Sequence, residues 1–142
     1  MTVLTYVDAE LAVRTWCRTH PVLTGLVGSR TFFGLPENYL PSAKGPAITV
    51  NLIGGAPDST TPLDLPELQF DCWGVTKAEA AAVRLGLLVA LHSLTRTTVT
   101  TSLGDVILAD ARVTSSLFSP DNSADPVLPR YIVTAQLAVL PA

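Results

Sequence analysis

Charge is scarce in this sequence: Asp, Glu, Lys and Arg make up 15% of its 142 residues, where a typical domain carries about 25%. A protein whose whole surface meets water carries more. The deficit therefore points to a surface partly covered by other subunits. The net charge is −3, and the basic residues, nearly all Arg, gather in no patch. Tight binding to nucleic-acid phosphates needs a face of cations and is not expected. Histidine is limited to His20 and His92, and cysteine to Cys17 and Cys72. Two lone histidines do not supply the three or four ligands of a metal site, and each reads as a helix-end or solvated residue. Two cysteines among apolar residues make no disulfide framework; they read as buried, reduced thiols suited to a cytosolic folding compartment. The first ten residues hold Asp8 and Glu10 without a basic start or an apolar run, so no signal peptide is expected. The longest apolar stretch, near residues 80–91, is broken by Arg84 and is too short to span a bilayer.

Catalytic signatures are missing as well. The chain has no G-x-S-x-G, no phosphate-binding glycine loop with Lys, no H-E-x-x-H and no paired C-x-x-C. No catalytic residue, cofactor or metal is expected. Four carboxylates, Asp58, Asp64, Asp121 and Asp125, fall in Pro-flanked loops. Paired carboxylates can do acid–base work, but in such loops they read first as turn residues and, if the loops serve assembly, as contact residues.

What is present is apolar: hydrophobic residues make up 48% of the chain. A chain of this length is the size of one domain, 1–142, and can bury a core without staples. The first helix is expected over residues 9–20. Asp8 is its N-cap, Ala9, Ala12, Val13, Trp16 and Cys17 form one apolar stripe, and Pro21 stops it. A turn through Gly25 and Gly28 leads to a short strand at 30–33, and the Pro- and Gly-rich stretch 34–46 reads as a loop. Residues 47–53 alternate, with Ile48, Val50 and Leu52 inward. After a loop at 54–66, residues 67–73 alternate again, with Leu68, Phe70 and Cys72 inward. Trp73 then falls on the polar face, where an aromatic suggests an interface.

Thr76-Lys77-Ala78-Glu79 matches a capping box, so the second helix starts there and runs to about residue 94. It is apolar on two sides. Ala78, Ala81, Ala82, Leu85, Leu88 and Val89 share one side; Ala80, Val83, Leu87, Ala90, Leu91 and Leu94 share the other. One sheet covers one side, and the second calls for another layer or a neighbouring subunit. Leu87, Leu91 and Leu94, with Trp73, are the candidates for that subunit interface. The last third reads as an edge strand at 97–102, a turn at Gly104-Asp105, and long strands at 106–118 and 130–140 around a loop at 119–129. The order α-β-β-β-α-β-β-β implies an α+β fold, two helices packed on one face of a mostly antiparallel sheet.

Gln69-Phe70-Asp71-Cys72-Trp73-Gly74, followed at once by the capped helix, resembles the tail-terminator (tail completion) proteins of long-tailed bacteriophages. The opening is similar too: a helix with an Arg/Trp face, Pro21, then Leu26-Val27-Gly28-Ser29-Arg30 leading into a strand. The resemblance covers most of residues 8–94. It implies a virion structural protein, not an enzyme, that forms a homohexameric ring at the neck. Such a ring caps the tail tube, stops its polymerisation and offers a docking face to the head-side connector. DNA passes through the lumen without specific binding, and no membrane partner is implied. A head-closure or neck connector role in the same virion and a small α+β ligand-binding domain are the alternative readings.

Overall fold

The computed structural model describes residues 6–123 and 127–142. The first helix, α1 (Ala9–Thr19), starts where Asp8 accepts a hydrogen bond from the Leu11 amide at 3.0 Å. Its stripe Ala9, Ala12, Val13, Trp16 and Cys17 is buried. Pro21 ends α1 and opens another helix, α2 (Pro21–Val27), which the turn expected around Gly25 conceals. Proline suits a first helical turn because its missing N–H has no partner there. His20 serves both helices: its amide closes α1, and its Nδ1 accepts from the Val22 amide.

Strand β1 (Thr31–Phe32) is short, and a single turn of helix, α3 (Pro41–Lys44), interrupts the connector behind it. Then come β2 (Ala47–Pro57), β3 (Asp64–Trp73), α4 (Lys77–His92), β4 (Thr97–Thr101), β5 (Gly104–Phe118) and β6 (Arg130–Pro141). With α2 and α3 set aside, this is the expected order. The six strands form one sheet in the order β1-β2-β3-β6-β5-β4, antiparallel except for the β1–β2 pair.

Residues 54–57 and 64–66, expected in a loop, instead prolong β2 and β3 into a protruding hairpin. The glycines and prolines that suggested a loop are tolerated because, among the described residues, β2 has no strand on its outer edge here. Beside Leu65 and Pro66 the ladder from β3 to β6 lapses, between the pairs Asp64–Val139 and Glu67–Gln136.

The capping box at α4 is formed. Thr76 Oγ1 accepts from the Glu79 amide at 3.1 Å, and the Glu79 carboxylate accepts from the Val75 amide at 2.9 Å, one residue before the cap. Both α1 and α4 lie on the concave face of the sheet. Helix α1 touches β1 and β2 near one end of the strand order and β4 and β5 at the other, so the sheet curls around it. The core joins α1 and α4 to Ile48, Val50, Leu68, Phe70, Val133 and Leu137.

Helix α2 closes the layer by lying against α4. It reaches α4 at Gly86, where a Cβ would sit 2.3 Å from Leu26 Cδ1. Gly86→Leu is expected to force α2 away, at a cost of about 1–3 kcal/mol. Urea unfolding measures that loss, and amide exchange should rise first in α2. Cys17 and Cys72 are fully buried. Burial pushes the Cys17 thiol up to about 12 and raises Cys72 as well, helped there by the charge of Asp71. Both groups stay protonated through neutral pH, so a disulfide reagent near pH 8 should label neither in the native protein and both after unfolding.

Candidate assembly surfaces

The helix face expected to meet a neighbour is the one the subunit keeps for itself. Leu87, Leu91 and Leu94 are 0%, 1% and 5% exposed and belong to the core. Their helical position is set by Val83 and Ala90, which continue the same stripe onto the sheet. Trp73 is likewise buried, on the outer side of β3. Its indole N–H donates to Thr49 Oγ1 at 3.2 Å, and the Arg130 guanidinium lies 5.1 Å over its ring. Alternation alone places Trp73 toward water. Its cross-strand neighbours from β2 and β6 cover it because β3 is an interior strand. Thr49 and Asp71 on the same side are buried as well.

The loop aspartates organise turns. Asp58 accepts from Thr61 Oγ1 at 2.6 Å, and its amide donates to the Leu63 carbonyl at 2.8 Å, which closes the β2–β3 hairpin. The Tyr6 hydroxyl donates to the Asp58 carbonyl. Hydrogen bonds from Thr61 and Thr60 hold the Asp58 carboxyl below its ordinary range. Asp64 opens β3 opposite Pro57. Asp121 accepts from Ser123 Oγ at 2.6 Å, which lowers its pKa too, and bridges to Leu128. Asp125 lies outside the described residues. Among those described, no three His, Cys, Asp or Glu side chains converge as a metal site, and no helix is long and apolar enough to cross a membrane.

The other side of α4 is open. Leu85 and Val89 are 55% and 58% exposed. Beside them a groove of about 470 Å³ is lined by Leu88, Val89, His92, Ser93 and Val113. Its floor is β5, which pairs with β4 only from Gly104 to Leu108. Beyond that point, residues 109–118 of β5 have no strand on their outer edge among the described residues. A main-chain edge beside an apolar groove is a template for another chain.

A second uncovered region lies toward the opposite end of the sheet. Past Val50, β2 has no strand on its β1 side among the described residues, since β1 pairs only with Ile48 and Thr49. A bulge at Ile53 interrupts its register with β3, and Leu52 and Ile53 are 51% and 50% exposed. The Glu10 carboxylate accepts from the Leu52 amide at 2.7 Å. Gly55, at φ +87, lets the hairpin close: a Cβ there would stand 2.1 Å from the Leu65 carbonyl oxygen.

The length mismatch between helices and strands is legible in the sequence for β5, expected over 106–118, but not for β2, whose outer half is expected in a loop. At about 1.5 Å per residue, α1 and α4 are far shorter than β2 and β5 at about 3.3 Å per residue. The tip of β2 therefore extends past α1, while the far end of β5 reaches only as far as Arg84 and Lys77 of α4.

No protein-family model matches the chain, and no curated protein matches its sequence. A chain in the solved virion of a native gene transfer agent particle shares the fold, with a TM-score of 0.66 and 19% identity. The match covers 93% of this chain and 94% of that one. At this identity the likeness is one of architecture.

The two sides of α4 should respond differently to a charge. Leu87→Glu puts a carboxylate in the core and is expected to cost at least about 3 kcal/mol. Leu85→Glu should leave stability within about 0.5 kcal/mol. Thermal unfolding of the two variants, followed by circular dichroism, separates them; equal losses would place Leu85 in the core.

Proposed function

We propose that this protein is a structural subunit of a phage-like virion, acting as a tail terminator. In this reading, copies join into a ring, six in number, that caps the tail tube and presents a docking face to the head-side connector. The observation that carries the reading is the fold shared, nearly end to end on both chains, with a component of a gene transfer agent particle. Two features support it: the groove beside Leu85 and Val89, and the bare edge of β5. They leave apolar and main-chain surface that a subunit working alone would normally cover.

Size and charge fit the same role. A chain of this length has a radius of gyration of about 14–15 Å. Six such bodies in contact enclose a hole about one body wide, enough for duplex DNA. A net charge of −3 lets phosphates pass such a lumen without trapping them. Under this reading Asp58 and Asp121 serve turns, Asp64 opens β3, and no chemistry is asked of them.

Light scattering across concentration tests the ring. Six copies of the 15.0 kDa chain give about 90 kDa in a closed homo-oligomer. That mass should appear at high concentration or on mixing with tail-tube subunits of the same virion, whose polymerisation should then stop. A ring that leaves tube growth unchanged would favour a head-closure or connector role. A chain that stays monomeric even with tube subunits present would overturn the assembly reading.

A further inference from the structure

The two uncovered regions differ in a way that makes them complementary. One is a groove with a bare strand edge beside it; the other is an arm with two exposed aliphatic side chains. They lie toward opposite ends of one sheet, in β5 and β2. A single copy cannot bring them together, because β3 and β6 stand between. Joining them takes a second copy, and the contact is head-to-tail: each copy gives its arm to one neighbour and its groove to the other.

The charges agree. From Gly45 to Thr76 the chain carries Asp58, Asp64, Glu67 and Asp71 and no basic residue. At the groove and the bare edge, Arg84 donates to Ser116 of β5, His92 lines the groove, the Arg96 amide donates to the Ala109 carbonyl, and Arg112 and Asp110 lie on the bare stretch of strand. Arms therefore repel arms, and grooves repel grooves, while an arm is attracted to a groove.

The faces also agree. Leu52 continues the Ile48–Val50 side of β2, the side toward the helices. Val113 stands opposite the buried Ala135 and so occupies the helix side of β5. In a closed ring every copy turns the same face inward. Edge joined to edge then sets the helix side of β2 beside the helix side of β5. Leu52 therefore reaches the groove from the correct face.

We propose that the β2–β3 arm of one copy lies along the bare β5 edge of the next, with Leu52 and Ile53 seated against Leu88, Val89 and Val113. The proposal rests on the ring reading and specifies its interface. Glu10 already holds the Leu52 amide, so at this residue the side chain makes the contact.

Directed cross-linking between full-length variants tests it. Leu52→Cys and Val113→Cys are made separately, and circular dichroism verifies their folding. Cys17 and Cys72 are buried and stay silent under mild oxidation. Each variant alone should remain at monomer mass on a non-reducing gel. The mixture should shift to dimer, and a chain carrying both substitutions should give a ladder ending at the ring number. A dimer from Val113→Cys alone means two-fold pairing of grooves and overturns the head-to-tail arrangement. If the wild type forms rings by light scattering but the mixture stays monomeric, this interface is wrong and the ring reading stands. If the wild type never assembles, even with tube subunits, both fall. Val89→Glu provides a check independent of cysteine chemistry. It should keep the wild-type melting temperature and lose the ring; rings that persist in it would overturn the proposal.

Discussion

Helix α1 is enclosed from two directions, and that enclosure sets the geometry of the rest. Its small and apolar stripe, Ala9, Ala12, Val13, Trp16 and Cys17, is buried. The helix meets strands from both ends of the sheet, β1 and β2 on one flank and β4 and β5 on the other. A sheet that grips one helix from both flanks has to curl, and its right-handed twist favours that. Curling fixes what lies inside. The helix is 11 residues long and covers only the part of each strand next to it. What extends past it differs at the two flanks. The tip of β2 stands uncovered at Leu52 and Ile53, whereas the far half of β5 is met by Arg84 and Lys77 of α4 and, among the described residues, is bare only along its outer edge.

Much of this could be read from the chain. Alternation at Ile48, Val50, Leu68, Phe70 and Cys72 gave correct inward faces, because those residues sit over α1 and α4 where one side of the sheet is fully covered. The capping box at Thr76 and Glu79 gave the start of α4, because caps are local chemistry. The faces of α4 were harder. Both of its sides are apolar, and periodicity identifies two stripes without saying which one meets the sheet. The discriminating residue is Gly86. It lies between polar positions on the helix wheel, and its missing side chain admits α2. With α2 hidden behind Pro21 and Gly25, that clue had no visible partner. Trp73 was misread for a different reason: alternation describes a strand with one wet face, and the cover that β2 and β6 give an interior strand is a long-range property.

The low charge content takes on a spatial meaning in this setting. Acidic residues dominate the arm, which carries no basic residue, whereas α4 and β5 carry both signs, with Lys77, Glu79 and Arg84 on the helix and Asp105, Asp110 and Arg112 on the strand. Such an arrangement costs the free subunit little, since the like charges of the arm are exposed and screened by salt. It also disfavours like surfaces meeting, which for an exposed strand edge is a protection against disordered association.

The place of β6 in the sheet has a consequence for when the subunit takes shape. It follows every other strand in sequence yet stands near the middle of the sheet, between β3 and β5. A chain still being translated, with β6 not yet released, holds two unjoined part-sheets: β1-β2-β3 on one side and β4-β5 on the other. Neither can curl around α1, because the grip on that helix needs both flanks. Long-range pairings of this kind form late. The floor of the groove, where Val113 pairs with Ala135 of β6, and the β3–β6 ladder behind the arm are completed in one step. Until β6 is placed, β3 and β5 each keep one further unpaired edge, so the subunit is most open to wrong pairing while its last strand is missing.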